Sequence, residues 1–463
     1  MPKLILFLFV ITTTINNIVL AEPVHDTRVI IVGSGAAGIA AASKLLQNGF
    51  NDVKIIEAEN RIGGRLWAVK IGQWVHGEED NVSFELAWPL GLLEHFNYSH
   101  VFTTRFFNSS GEQLLPEVLS DVTYFYFNLT ENSDVNDIAK AESYGDFIIE
   151  KMEEYFKRLP EVTDDMKKSI LYLFNLVQGS SDGSDDWTKL SPKMPRDYPK
   201  KYPNPAEELP VLNNTILNSK VVKINYDSSD TPVEITTEEG KKYLADHIIV
   251  TPSLGVLKAD YEKLFNPPLP DKKINAIQNL EMGHVAKIYL YYEDPWWHDE
   301  IFVKFILWSD EERKQMEADP AKRWLLGYYT AVEVEHKPKV LCLWMTGPYV
   351  TEMEQVSEEE FNNKTLHFVN QFFGKSYNLT QPSIIKRSMW NTNDNFRGTY
   401  SYRSITSDLK NAQNKDLAEP IMKNDKPVVL FAGEATDEHF STVHGAIHSG
   451  WREADRLIKL YKI

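Results

Sequence analysis

Arg28-Val-Ile-Ile-Val runs straight into Gly33-Ser-Gly35-Ala-Ala-Gly38, and this juncture restricts the architecture more than any other stretch of the chain. A short β-branched run breaking into glycines predicts the first strand of a parallel sheet, buried on both faces. Ile39 to Gln47 is rich in Ala and Leu and stops at Asn48-Gly49, so a helix follows; Val53-Lys-Ile-Ile-Glu57 is the next strand. Gly33 makes the tight turn, Gly35 lets the backbone approach a diphosphate, and Gly38 lets the helix lie close on the strand. The helix start, with Ala37 in its first turn, then faces the anion. Glu57 ends the second strand 24 positions after Gly33, where a carboxylate accepts the ribose hydroxyls of a dinucleotide.

The chain has 463 residues, 43% apolar and 25% charged, which excludes collagen, coiled coil and bulk disorder and leaves room for two or three domains around a ligand cavity. Its 49 basic and 66 acidic side chains give a net charge of −17, which argues against nucleic acid or an anionic membrane as partner and favours a cationic ligand. Residues 1–21, Lys3 followed by the apolar Leu4 to Ile11 and small residues at Val19 and Ala21, read as a secretory signal peptide; no later run is long enough to anchor the chain in a membrane. Sequons at Asn81, Asn97, Asn108, Asn128, Asn213, Asn363 and Asn378 fit a secreted glycoprotein. The lone cysteine, Cys342 in Val340-Leu-Cys-Leu-Trp344, excludes an intrachain disulfide and reads as a small buried hydrophobe.

Ile148, Met152, Tyr155, Phe156 and Leu159, then Met166, Ile170, Leu173, Phe174 and Val177, recur at helical spacing and predict two amphipathic helices whose stripes are core. From Gly179 to Pro210 the chain is polar and proline-rich, as in a loop or domain boundary. Strands resume at Lys220–Tyr226, Val233–Thr237 and His247–Thr251. Lys287 lies among apolar neighbours: pointing outward it is solvated, whereas facing a cavity it has a depressed pKa and orients water. Near the C-terminus, Val428 to Glu434 and a helix over about 442–461 repeat the strand, acid and helix-start logic. His444 and His448 have metal-ligand spacing, but no third ligand accompanies them and no metal is expected.

At these residues the chain resembles the FAD-dependent amine oxidases, particularly the polyamine and spermine oxidase branch. Glu57-Ala-Glu-Asn-Arg61-Ile-Gly63-Gly64-Arg65 matches the flavin-binding extension, Gln73-Trp74-Val75-His76-Gly77 the segment beside the flavin, and Gly398-Thr-Tyr400-Ser-Tyr402 the aromatic segment. Ala432-Gly-Glu434-Ala-Thr and Ser441-Thr442-Val443-His444-Gly445-Ala446 match the C-terminal flavin motif, and Lys287 the lysine that holds a water at flavin N5. The likeness spans about 28–463. It departs at Leu66 to Gly72, where the family hairpin is longer, and in the segment before Val221, where a helix with Gly-Tyr is missing.

The resemblance implies an α/β fold with a Rossmann-type FAD-binding domain over 22–85, 205–260 and 385–463 and a discontinuous α+β substrate domain over 86–204 and 261–384. It implies hydride removal from the carbon next to a substrate nitrogen to flavin N5, then imine hydrolysis to aldehyde and shorter amine, with oxygen giving hydrogen peroxide. Lys287, His76 and Tyr400 are the catalytic candidates; Trp74, His76, Tyr400 and Thr442 line the substrate site, with Thr442 leaving the aromatic cage half open. Gly33, Gly35, Ala37, Gly38, Glu57, Arg65, Gln73, Trp74, Val222, Trp390, Glu434, Thr442 and Val443 are the candidates for holding FAD, bound non-covalently. His76 either bonds a distal amine or is structural, and Trp296 and Trp297 are core. Two rivals stay open: an L-amino-acid oxidase, which needs a cavity arginine and has Arg403 nearby, and a non-catalytic secreted relative that holds FAD poorly.

Overall fold

The computed structural model describes residues 27–66, 88, 91, 104–114, 116–194, 211–227, 233–297, 303–334 and 337–461. The expected signal peptide, Gln73, Trp74, Val75, His76, the sequons at Asn81 and Asn97 and the second half of the proline-rich stretch, residues 195–210, lie outside these residues.

The first sheet has six strands in the order Ile421–Lys423, Lys426–Phe431, His247–Val250, Arg28–Val32, Asp52–Ile56 and Thr215–Ile216. Arg28–Val32 is central and parallel to both neighbours, with Val32 opposite Ile56 on one side and Val250 on the other. Its side chains alternate between two covers, which is why the run is β-branched throughout. Val29 and Ile31 meet the helices Ala36–Gln47 and Val443–Tyr461, while Ile30 and Val32 meet Leu254, Leu257 and Ile277 below. Two close approaches bind this layer. A Cβ on Gly38 would stand 2.0 Å from Gly33 O, and one on Gly450 would stand 2.2 Å from Ala37 O. The two helices therefore start side by side, with Ala36 and Val443 in one apolar cluster.

The second sheet runs Ile384–Arg387, Val285–Tyr291, Val340–Thr346, Tyr328–Glu333, Val303–Leu307 and Thr104–Asn108. One face, with Ala286, Ile288, Leu341 and Leu343, is covered by Phe361, Phe368 and Phe372 of the helix Glu358–Phe373, and Trp296 and Trp297 lie in this core as expected. On the other face Lys287 pairs with Trp344 and Tyr289 with Cys342, and Phe305 and Leu307 meet the helices of the smaller layer.

The two expected amphipathic helices are Tyr144–Phe156, capped by the Ser143 hydroxyl, and Asp164–Asp182, capped by Thr163. Met152, Phe156, Ile170, Leu173 and Phe174 are buried, so both stripes are core. The helix does not stop at Gly179 as the composition predicts. Gly179 stays helical and serves a close approach, since a Cβ there would lie 2.4 Å from Ser184 O; Gly183, at φ 80°, ends the helix.

Candidate flavin and amine site

Gly33 takes φ 104°, which only glycine adopts without strain, and a Cβ on Gly35 would meet nothing within 4 Å, leaving its backbone open to a ligand. No side chain caps the helix that begins there, and its first turn holds no acid, so its orphan N–H groups and positive dipole end suit a diphosphate. Glu57 Oε2 accepts from Ser34 N and Ser34 Oγ, each at 2.7 Å, and Oε1 accepts from Glu59 N at 2.7 Å. Oε1 thus keeps acceptor capacity for a ribose hydroxyl, so the turn fits a dinucleotide. Val222 sits at a shift of register between Val221 and Lys223 in the strand Val221–Asn225, with its side chain exposed.

Glu434 gathers the remaining segments. Its buried carboxylate accepts from Ser401 Oγ at 2.7 Å and Ser441 N at 2.9 Å and pairs with Arg65 Nη1 at 3.1 Å; Arg65 also donates to Thr399 O. One acid therefore ties the flavin-binding extension, the Thr-Tyr-Ser segment and the start of the C-terminal helix. At that start Thr442 is a helix cap: its hydroxyl accepts from Gly445 N at 2.8 Å and donates to His439 O at 2.7 Å, and Val443 begins the helix. Its methyl, rather than its hydroxyl, is what remains for a ligand.

Thr399 Oγ1 accepts from Val285 N at 2.8 Å, and Gly283 N donates to Tyr400 O at 2.9 Å, so the Tyr400 segment is laced to the strand that carries Lys287. The Tyr400 ring lies on Gly183 and its hydroxyl donates to Ser180 O; burial pushes the phenol pKa far up, so it stays neutral. Lys287 is not the outward, solvated lysine. Its Nζ stands 4.2 Å over the Trp344 ring, and burial lowers its pKa from the ordinary lysine value. Trp390 is partly buried and its loop is clamped by Glu354, whose carboxylate accepts from Trp390 N, Asn391 N, Asn391 Nδ2, Thr392 N and Thr392 Oγ1 at 2.6–3.1 Å.

Glu354, Ser34 and Trp344 are absent from the sequence-derived set. Strand alternation places Trp344 on the face of Cys342, and Ser34 lies inside the glycine turn; nothing in the sequence separates Glu354 from the other acids. The metal reading needs one correction. Asp437, His439 and His448 bring ligand atoms within 4.8 Å of one another, so a third candidate does exist, with His439 in place of His444. Those groups already satisfy each other: His448 Nδ1 is 2.7 Å and His439 Nδ1 3.0 Å from Asp437, and Arg452 is 3.4 Å away. Burial opposes ionisation of Asp437, but the hydrogen bonds from His439 and His448 hold its pKa below the ordinary carboxylate value. His444 is pushed down to about 4, by burial and then by His439.

The family described as flavin containing amine oxidoreductase matches residues 36–189 and 208–458. The chain belongs to this family. A Bos taurus protein named peroxisomal N(1)-acetyl-spermine/spermidine oxidase is 29% identical, covering 95% of this chain and 96% of its own. A probable polyamine oxidase 5 of Arabidopsis thaliana is 26% identical, covering 94% and 98%. A redesigned putrescine oxidase superposes with TM-score 0.63 at 17% identity, over 94% of this chain and 99% of that one, showing a shared fold. The protein is an FAD-dependent amine oxidoreductase. Arg65, Glu57, Glu434 and the two adjoining helix starts are the groups of this amine oxidoreductase that fit FAD.

Proposed function

We propose that this amine oxidoreductase is secreted and glycosylated and oxidises polyamines, such as spermine, spermidine or their acetylated forms, with oxygen as acceptor. The observation that carries the reading is the convergence on Glu434, which lashes Ser401 and Arg65 together and so holds Tyr400 beside the Lys287 strand. The names of the bovine and Arabidopsis relatives and the net charge of −17, suited to a cationic substrate, support it. FAD, when bound non-covalently, supplies the acceptor for hydride from the carbon next to nitrogen. Tyr400 contributes a neutral wall whose ring is fixed from both ends, excluding water and favouring the unprotonated amine. Lys287 Nζ, with its depressed pKa, holds and exchanges a proton with a water in the site. By the family resemblance alone, His76 is the candidate for bonding a distal amine and Trp74 for meeting the reacting one; both lie outside the described residues.

The L-amino-acid rival is disfavoured by its own requirement. Arg403 pairs with Asp408, Arg65 with Glu434 and Arg397 with Asp394, so each is already committed to a carboxylate. The test is an absorbance spectrum of the purified protein, followed by anaerobic addition of spermine, spermidine, their acetyl forms and L-amino acids. A yellow protein bleached by a polyamine is expected, with acid releasing the flavin. A colourless protein, or bleaching by L-amino acids alone, overturns the proposal.

A further inference from the structure

The outer face of the helix Pro116–Asn132 carries Tyr124 at 70% exposure and Phe127 at 40%. The other aromatics of the helix are spent on packing: Phe125 stacks on Tyr155 at 4.0 Å and Tyr126 on Phe174 at 4.1 Å. One turn beyond Tyr124, exposed Asn128 opens the sequon Asn128-Leu-Thr130. Helical neighbours three and four apart adjoin, so Asn128 and Tyr124 lie one turn apart on the same strip of the helix surface. Its Oδ1 accepts from Asn132 Nδ2 at 2.9 Å, while among the described residues no hydrogen bond engages its Nδ2, the atom that N-glycosylation modifies.

Other sequons are built differently. Asn108 Oδ1 accepts from Ser110 N, Ser110 Oγ and Glu112 N, so its side chain is spent on closing a turn. In Asn363-Lys-Thr365 the threonine is fully buried and its hydroxyl bonds Tyr328 at 3.0 Å. Asn213 and Asn378 are exposed, but in neither does an exposed aromatic stand one helical turn before the asparagine.

We propose that Asn128 carries an N-linked glycan whose first N-acetylglucosamine units lie over Tyr124 and Phe127, covering the one aromatic patch of this helix left to solvent. The inference rests on the secretory part of the reading above and is independent of the substrate. In the modification, Asn128 Nδ2 attacks the anomeric carbon of an oligosaccharide carried on a lipid diphosphate. The N–C bond forms as the C–O bond breaks, the lipid diphosphate leaves, and the amide gives up one proton; nothing is oxidised or reduced. The apolar C–H face of the sugar then removes aromatic surface from water.

The full chain, expressed in a eukaryotic secretory host, is recovered from the medium and deglycosylated enzymatically in heavy-oxygen water, which marks each occupied asparagine as labelled aspartate. A mark at Asn128 is expected. In the glycoform, nitration of Tyr124 by tetranitromethane should be several-fold slower than in Thr130→Ala, which destroys the sequon, while Thr130→Ser, which keeps it, retains the protection. Marks at other sequons with none at Asn128 overturn the proposal, as does equal nitration of Tyr124 in glycoform and Thr130→Ala. Absence of any mark overturns the secretory reading together with this one.

Discussion

Glu57, in the layer built on the first sheet (here the dinucleotide layer), and Glu354, in the layer built on the second sheet (here the amine layer), are both buried carboxylates that clamp a loop, yet they recruit partners over different stretches of chain. Glu57 takes Ser34, 23 residues before it, and Glu59, two after it, all within one strand–turn–helix–strand unit. Glu354 takes Trp390, Asn391 and Thr392, 36 to 38 residues away, and His284 reaches Asp185 across 99. The phosphate-binding turn is a local object whose parts arrive together. The candidate amine site is assembled only once separate strands have met in a sheet.

Buried lysines differ between the two layers in the kind of partner they meet. Lys273, in the dinucleotide layer, gives its ammonium to Asp416 O at 3.1 Å, Leu417 O at 2.7 Å and the Phe431 ring at 3.9 Å; Lys304, in the amine layer, has a carboxylate, Glu333, at 2.9 Å. Burial pushes the Lys273 pKa down to about 7. A carboxylate neutralises a buried cation more completely than carbonyls and a ring do.

The largest effect is expected from Gly38→Val. Its side chain would collide with Gly33 O, so about 4 kcal/mol of stability and most flavin content should be lost, read by urea unfolding and bound-flavin absorbance. Normal flavin content would break the claim that the turn is set by close approach. Next comes Lys273. Its folded pKa lies below the ordinary 10.5, so the unfolded chain binds the extra proton between pH 7 and 10.5. Stability should therefore rise through that window by up to about 1 kcal/mol per pH unit, with the penalty complete below it. Lys273→Met should flatten the slope and gain stability at pH 7, whereas Lys304→Met should lose it by stranding Glu333; parallel behaviour would erase the distinction drawn between them.

Glu354→Gln should cost about 3 kcal/mol, because an amide cannot accept from backbone N–H groups on both of its arms; exposed Glu359→Gln is the neutral control. Unchanged unfolding midpoints would mean that the Trp390 loop is held by something else. Glu57→Ala should weaken FAD retention by about 1–3 kcal/mol, measured by dialysis against apoprotein, since Ser34 and Glu59 lose their acceptor along with the ribose. Retention equal to wild type would sink the dinucleotide assignment. The smallest change in free energy belongs to Lys287→Met. Folding and flavin content should persist while a half-reaction slows about tenfold, roughly 1.4 kcal/mol. Stopped-flow bleaching and its reversal by oxygen report it, and unaltered rates in both directions would remove Lys287 from the chemistry.

How much of this was legible in the sequence follows the same division. The glycine turn, Glu57, the alternating strands and the helical stripes were readable because their physics is contained in windows shorter than one supersecondary unit. Lys287 could be flagged by its apolar flanks, but its direction is fixed by Trp344, which only strand pairing brings opposite. Glu354 and Asp437 carried no signal, because an acid looks the same in sequence whether it clamps a loop or faces solvent, and the spacing that flags His448 paired it with His444 rather than with His439. Gly179 misled: a glycine kept for close approach resembles one that ends a helix.

Cys342 is fully buried, with burial pushing its thiol up to about 12, and it is the single cysteine of the chain. Peroxide attacks thiolates, and at neutral pH this sulfur supplies almost none and lies beyond the reach of solvent. Under the proposed reaction with oxygen, the enzyme would therefore turn over without a sulfhydryl for its own peroxide to consume, and thiol oxidation would not set its working lifetime.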